Sequence, residues 1–159
     1  MGYKKSTTCR IELSRGCFAV VDEKDFRRLN KHKWYCSTLG YAVREKRNGS
    51  SRKTIWMHRV VLQVQDGVSV DHINHNKLDN RSSNLRPCRY SENLCNTPKR
   101  KTNTTGYKGV TFDRRWSRYR AQITKNRKYY HLGMFDTAKE AHSAYLAKAR
   151  ELHGDFACG

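Results

Sequence analysis

The sequence predicts an α+β chain made of two thin modules, and three observations carry that reading. Only 36% of the 159 residues are hydrophobic, too few to fill a single large interior. Through much of the chain the apolar residues fall in short β-branched and aromatic runs bounded by turn formers, which is the pattern of short strands. Near the C-terminus the spacing changes to three and four residues behind a helix start signal, which is the pattern of one amphipathic helix. The expected architecture is a small β-rich N-terminal scaffold followed by a three-stranded antiparallel sheet with one packed helix.

In the N-terminal part, residues 17–21, 41–44 and 55–58 read as extended runs, and Asn48-Gly49 supplies a hairpin turn between the last two. Asp22, followed by Asp25, Phe26 and Leu29, reads as the cap of a short helix with acids in its first turn. His58 to Leu62 can begin another helix, in which His58 is expected to be a packed structural histidine, before Asp66-Gly67 breaks the chain ahead of an apolar run at 68–73. Residues 97–105 hold no large apolar side chain, so they read as a basic linker that orders on its partner. Beyond it, 107–112, 119–124 and 128–132 read as strands, with Gly133 turning the chain. Thr137 and Glu140 form a capping box for a helix that presents Ala138, Ala141, Tyr145, Ala149 and Leu152 to the sheet and closes at Gly154.

Charge narrows the partners. Lys and Arg number 33 against 14 Asp and Glu, a formal net charge of +19, which exceeds what solubility needs and suits a polyanion. Residues 99–128 alone carry eleven Lys or Arg and one acid, Asp113, interleaved with Tyr107, Phe112, Trp116 and Tyr119. Cations neutralise phosphate while planar rings cover sugar or bases. No apolar run approaches the roughly 20 residues that span a bilayer. The cysteines at 9, 17, 36, 88, 95 and 158 show no C-x-x-C spacing and read as free thiols in a reducing cytoplasm.

Asp71-His72 follows the apolar run, Asn84 comes twelve residues after the histidine and Asn93 nine residues later. This set, within about residues 10–97, resembles the HNH endonucleases, especially the phage and intron homing type whose last position is Asn. The resemblance implies a ββα-metal unit at about 68–97: one strand with Asp-His, a loop and second strand with the central Asn, and a short helix with the final ligand, capped by Ser91. Asp71 and Asn93 offer hard oxygens that suit one Mg²⁺ or Mn²⁺ ion better than zinc. His72, with an ordinary pKa of roughly 6.5, can take a proton from the attacking water. Asn84 cannot act as acid or base, so its role is to orient the ring or tie the loop together. A zinc site from His72, His75, Cys88 and Cys95 lacks the paired short spacing of such sites.

Gly106-Tyr107-Lys108-Gly109-Val110, Trp116, residues 119–123 and residues 132–141 resemble the APETALA-type DNA-binding domain of plant ethylene-response factors, over about 105–156. In that family a three-stranded sheet lies in the major groove with its helix behind. By position, Lys108, Trp116, Arg118, Gln122, Thr124 and His131 become contacts to DNA, with Arg114, Arg115 and Arg120 as neighbouring phosphate or base partners. Thr111 and Thr124 stand where the plant domains commonly have arginine, and His131 where they have tryptophan, so base preference does not carry over. For Trp116 a place in the core beneath the sheet is equally open.

The resulting expectation is a monomeric metal-dependent endonuclease acting on double-stranded DNA, with a nuclease domain at 1–97, a linker at 98–105 and a DNA-binding domain at 106–157. Two rivals share the charge: a non-catalytic DNA-binding regulator with a degenerate nuclease fold, and a structural RNA-binding protein.

Overall fold

The computed structural model describes residues 7–158. They form two compact units that divide between Tyr90 and Ser91, in a mixed α and β architecture of small antiparallel sheets and few helices.

In the first unit, β1 (Thr8–Glu12) pairs antiparallel with β2 (Phe18–Asp22), setting Ile11 opposite Ala19, both buried. Helix α1 (Glu23–Leu29) follows at once and buries Leu29. Asp22 is its N-cap residue, but its carboxylate does not cap the helix. It accepts hydrogen bonds from the Ser82 backbone N–H (2.8 Å) and Oγ (2.6 Å) instead, so this acid fastens a loop sixty residues away.

Strand β3 (Tyr35–Cys36) borders β4 (Ala42–Asn48), which turns into β5 (Ser51–Trp56). Asn48 pairs with Ser51, leaving a two-residue turn whose first position, Gly49, has φ of +59°, a conformation glycine adopts without steric cost. The run at 55–58 is not all strand: it ends at Trp56 and α2 (Met57–Leu62) begins, burying Met57, His58 and Val61. Met57 and Val61 join Ile11, Leu13, Val21, Leu29, Trp34 and Leu85 in one apolar cluster. Strand β6 (Ser69–His72) then pairs antiparallel with β7 (Leu85–Cys88). The intervening loop is held to β2 by Val20 N–H donating to Leu78 O (2.8 Å) and Asn80 N–H to Val20 O (2.7 Å).

Helix α3 (Tyr90–Cys95) starts one residue before Ser91, which lies inside its first turn rather than at its cap. The stretch after it is not a featureless linker. Asn103 Nδ2 donates to Tyr107 O (2.9 Å) and Thr105 Oγ1 to Val110 O (3.1 Å), so side-chain amide and hydroxyl groups supply what apolar contacts cannot.

The second unit's sheet runs in the order β10-β9-β8, with β8 (Val110–Asp113), β9 (Arg118–Lys125) and β10 (Lys128–Phe135) all antiparallel. Asn126 and Arg127, at φ of +51° and +64°, close the tight β9–β10 turn. Gly133 lies within β10 rather than in a turn: the register slips between His131 and Gly133 in a β-bulge. Helix α4 (Ala138–His153) opens with the capping box, Glu140 N–H donating to Thr137 Oγ1 and Thr137 N–H to Glu140 Oε2, each at 3.2 Å. It packs Ala141, Tyr145 and Ala149 against Val110, Ala121 and Ile123. Small alanines let helix and sheet approach closely, and Gly109 lies directly under the Tyr145 ring.

Candidate functional site

Pairing of β6 with β7 places Asp71 opposite Arg86 and His72 opposite Leu85. Side chains of adjacent strand residues ordinarily diverge. Here the strand ends at His72, and both residues are buried, at 4% and 6% exposure. Arg86 donates to Asp71 Oδ2 through Nε (2.8 Å) and a terminal nitrogen (2.7 Å), fixing the carboxylate.

The loop beyond His72 is tied from inside. Ile73 N–H donates to Asn84 O and His75 N–H to His72 O, both at 2.9 Å. Asn84 Oδ1 accepts from Asn74 N–H (3.0 Å), and its Nδ2 donates to Asp79 O (2.8 Å), so one amide bridges both arms of the loop. Asp79, 3% exposed, accepts from Asn74 Nδ2 (2.8 Å) and from Arg81 Nε (2.7 Å). The Arg81 guanidinium holds the Asp79 carboxyl below its usual range. Ser82–Asn84 form the 3-10 turn anchored by Asp22. The Asn84 amide is thus held by backbone groups on both sides, at the end of a turn that Asp22 anchors.

His72 sits among rings: His58 lies edge-on at 5.2 Å between centroids and Tyr41 at 5.8 Å, while Trp56 stands 5.8 Å from His58. Lys77 Nζ sits 4.6 Å over Tyr41 and donates to Leu39 O (2.9 Å). Burial is the main influence on His72 and lowers its pKa, opposed by the neighbouring Asn80 side chain and by the Asp71 and Asp79 carboxylates. A ring held neutral can accept a proton at neutral pH.

His58 is the packed histidine that its sequence context suggests, at 8% exposure. Burial, then the neighbouring His72 and Arg59, push its pKa down to about 3. The sign follows from linkage: the unfolded ring, near 6.5, takes up a proton that the folded ring refuses, so acid favours unfolding. Stability is expected to be independent of this group above pH 6.5 and to fall by about 1 kcal/mol per pH unit between there and pH 3. Urea midpoints at pH 7, 5 and 4 check it, with His58→Phe flattening the dependence.

Among the described residues, no three His, Cys, Asp or Glu side chains gather closely enough to hold a metal ion by themselves. The donors the spacing singles out are the Asp71 carboxylate on β6 and the Asn93 amide on α3, in the second unit. Each offers an oxygen donor of the kind that hard divalent ions take. Spacing gave no sign of Tyr41, Trp56, Asn80, Lys77 or Arg86. Only the β7 position of Arg86, directly across from Asp71, could have been found by pairing the two strands.

The second unit presents a different surface. Along β9, Tyr119, Ala121 and Ile123 face α4 while Arg118, Arg120, Gln122 and Thr124 alternate onto the helix-free face. In register beside them on β10 are His131, opposite Gln122, and Tyr129, opposite Thr124. Tyr129 Oη donates to Gln122 Oε1 (2.9 Å). Asp113, Trp116, Arg118, Arg120, His131 and Met134 line a shallow concavity of about 400 Å³. Arg118 Nε reaches Asp136 at 2.9 Å. Trp116 is 63% exposed, not beneath the sheet, with the Arg115 guanidinium 5.3 Å from its ring. Arg114, Arg115 and Trp116 occupy the β8–β9 turn. Lys108 is different: its ammonium donates to Cys95 O (2.9 Å) and Thr97 O (2.5 Å), and burial lowers its pKa. It secures the end of α3.

The architecture is that of a two-unit chain with a buried Asp-His pair in one unit and a basic, solvent-facing sheet in the other. The chain belongs to the HNH endonuclease family and carries an AP2 domain, whose family model matches residues 105–155. It is 31% identical over 147 residues to a protein of Acanthamoeba polyphaga mimivirus named as an uncharacterized HNH endonuclease, covering 90% of this chain and 74% of the relative. It is also 32% identical over 94 residues to Protein 3.8 of Escherichia phage T7, covering 59% of this chain and 77% of that protein. No solved structure matches it. Among the described residues no helix is long and apolar enough to cross a membrane, and the six cysteines form no disulfide.

Proposed function

We propose that this chain is a Mg²⁺- or Mn²⁺-dependent endonuclease of the phage homing type that hydrolyses phosphodiester bonds of double-stranded DNA. The observation that carries the reading is the buried Asp71-His72 pair at the end of β6, with the loop beyond it clamped by Asn84.

In this reading β6 and β7 supply the two strands, and the segment carrying Asn93 the helix, of the ββα unit that the HNH resemblance implies. His72, held neutral by burial, takes the proton of the attacking water. Asn84 keeps the loop's two arms in place, and the ring wall of Tyr41 and His58 limits where the imidazole can point. Arg86 keeps the Asp71 carboxylate in one orientation. Asp71 and Asn93 would hold the divalent ion, which supplies Lewis-acid stabilisation of the phosphate and of the departing 3′ oxygen. The products are 5′-phosphate and 3′-hydroxyl ends, and one site per monomer makes nicking the elementary event.

Arg118, Arg120, Gln122, Thr124 and His131 on the helix-free face, with Arg114, Arg115 and Trp116 at its edge, bind the duplex. Exposed arginines pair with phosphate or guanine edges, and an open sheet face of this width fits the major groove. Joining this unit to the cutting unit in one chain raises the local concentration of the active site at DNA. The viral and phage relatives support action in an infected cell's cytoplasm.

Incubation with supercoiled plasmid tests the proposal. Relaxed circles are expected with Mg²⁺ or Mn²⁺, none with EDTA, and recovery when the ion is restored. Duplex binding without nicking in any divalent ion would leave a DNA-binding regulator.

A further inference from the structure

Outside both of these surfaces, the β4–β5 hairpin has a charge pattern the fold does not explain. Strand β3 pairs only with the base of β4, through Tyr35 with Val43 and Cys36 with Ala42. From Arg44 outward the hairpin is therefore a bare two-stranded ribbon, exposed almost throughout. Its register sets Lys46 directly opposite Lys53 and Arg47 directly opposite Arg52. Like charges facing each other across strands oppose folding, and here two such pairs are adjacent. One of the four, Lys53, has an exposed acid at 3.3 Å, Asp66. No ion pair is formed by Lys46, Arg47 or Arg52 among the described residues. The nearest acid on the ribbon, Glu45, is already engaged by Tyr35 Oη (2.9 Å) and Thr54 Oγ1 (3.2 Å).

We propose that this ribbon enters the major groove of duplex DNA as a contact separate from the AP2 sheet, its two like-charged pairs resolved by phosphates on the opposite walls of the groove. Alternation along a strand decides the geometry. Arg47 and Arg52 occupy one face of the ribbon and Lys46 and Lys53 the other, so the cations point both ways. A flat anionic surface would use one face and leave the other repelling. A groove bounded by two phosphate backbones uses both. The major groove, about 12 Å wide, admits a two-stranded ribbon. The tip, Asn48-Gly49-Ser50-Ser51, is small and polar enough to reach the groove floor.

The inference rests on the reading that the chain acts on duplex DNA, and the test separates the two. The chain of both units is titrated in EDTA, so that binding is read without cleavage, against a DNA duplex and a structured RNA over a series of salt concentrations. Replacing Lys46, Arg47 and Arg52 by Thr is expected to weaken duplex binding and to reduce the slope of log K against log salt by about 2 to 3, since each phosphate contact contributes about 0.9. The melting temperature is expected to be unchanged or higher, because the repulsion is removed. If the triple variant melts below the parent, the double variant R47Q/R52Q reads the same slope with an expected drop of about 2. An unchanged slope overturns the ribbon contact alone, and so does a slope reduced on RNA but not on the duplex. Absence of duplex binding by the parent chain overturns the function on which it rests.

Discussion

Gly109→Ala is expected to unfold the C-terminal unit at temperatures where the parent chain stays folded. A Cβ at this position would lie 2.0, 2.4 and 2.7 Å from three atoms of the Tyr145 ring, distances that no carbon pair tolerates without movement. The ring has nowhere to go. Tyr145 is 4% exposed, packed with Ile123 and Ala149, and its hydroxyl reaches Cys158 O at 3.5 Å. Burial raises its pKa to about 12, so it stays a neutral, tightly held phenol. The backbone adds a second cost, because Gly109 has φ of +74°, where a side chain costs about 1 kcal/mol. With overpacking at about 1–3 kcal/mol, the total approaches the stability of a unit this small, on the order of 5 kcal/mol. Differential scanning calorimetry reads the transition, and duplex binding is lost with it. A melt identical to the parent's would mean that Tyr145 does not lie over Gly109.

His72→Ala is expected to lower cleavage by about 10²–10⁴-fold, the range supplied by a positioned general base, while duplex affinity changes by no more than a few fold. The separation of effects follows from placement: His72 is buried at the end of β6, whereas the cations proposed to bind the duplex stand on β9 and the β8–β9 turn. Removing an imidazole that packs against His58 and Tyr41 also leaves a void. His72→Gln, closer in volume and without a useful base, keeps the comparison honest. Cleavage restored by Gln but not by Ala would reveal a packing role, and undiminished cleavage in both would remove His72 from the mechanism.

Much of this was readable from sequence where the deciding interactions are local. The capping box at Thr137 and Glu140 depends on residues three apart, and the strand that delivers Asp71 and His72 depends on a short apolar run. The rest turned on partners that spacing does not reveal. Asp22 looks like a helix cap because caps are judged by neighbours, yet its oxygen is claimed by Ser82 across the unit. Lys108 looks like one more cation of a basic strip, yet two backbone carbonyls at the end of α3 hold it. The rings beside His72 are those of Tyr41, just before β4, and His58, on α2, and only packing brings them to the end of β6. Trp116 was ambiguous because an aromatic residue in a turn fits either a core or a contact, and exposure decided it.

The slip between His131 and Gly133 has an evolutionary corollary. Side chains on a strand alternate, so the extra residue in β10 reverses the parity of all that follows, sending Met134 to the concavity and Phe135 toward the helix. A descendant that lost one residue from the strand beyond the bulge, with the bulge kept, would turn Phe135 out to water, because the faces there are counted from Gly133. Variation along this strand is therefore expected to accumulate as exchanges of one amino acid for another, with chain length at this point inherited unchanged.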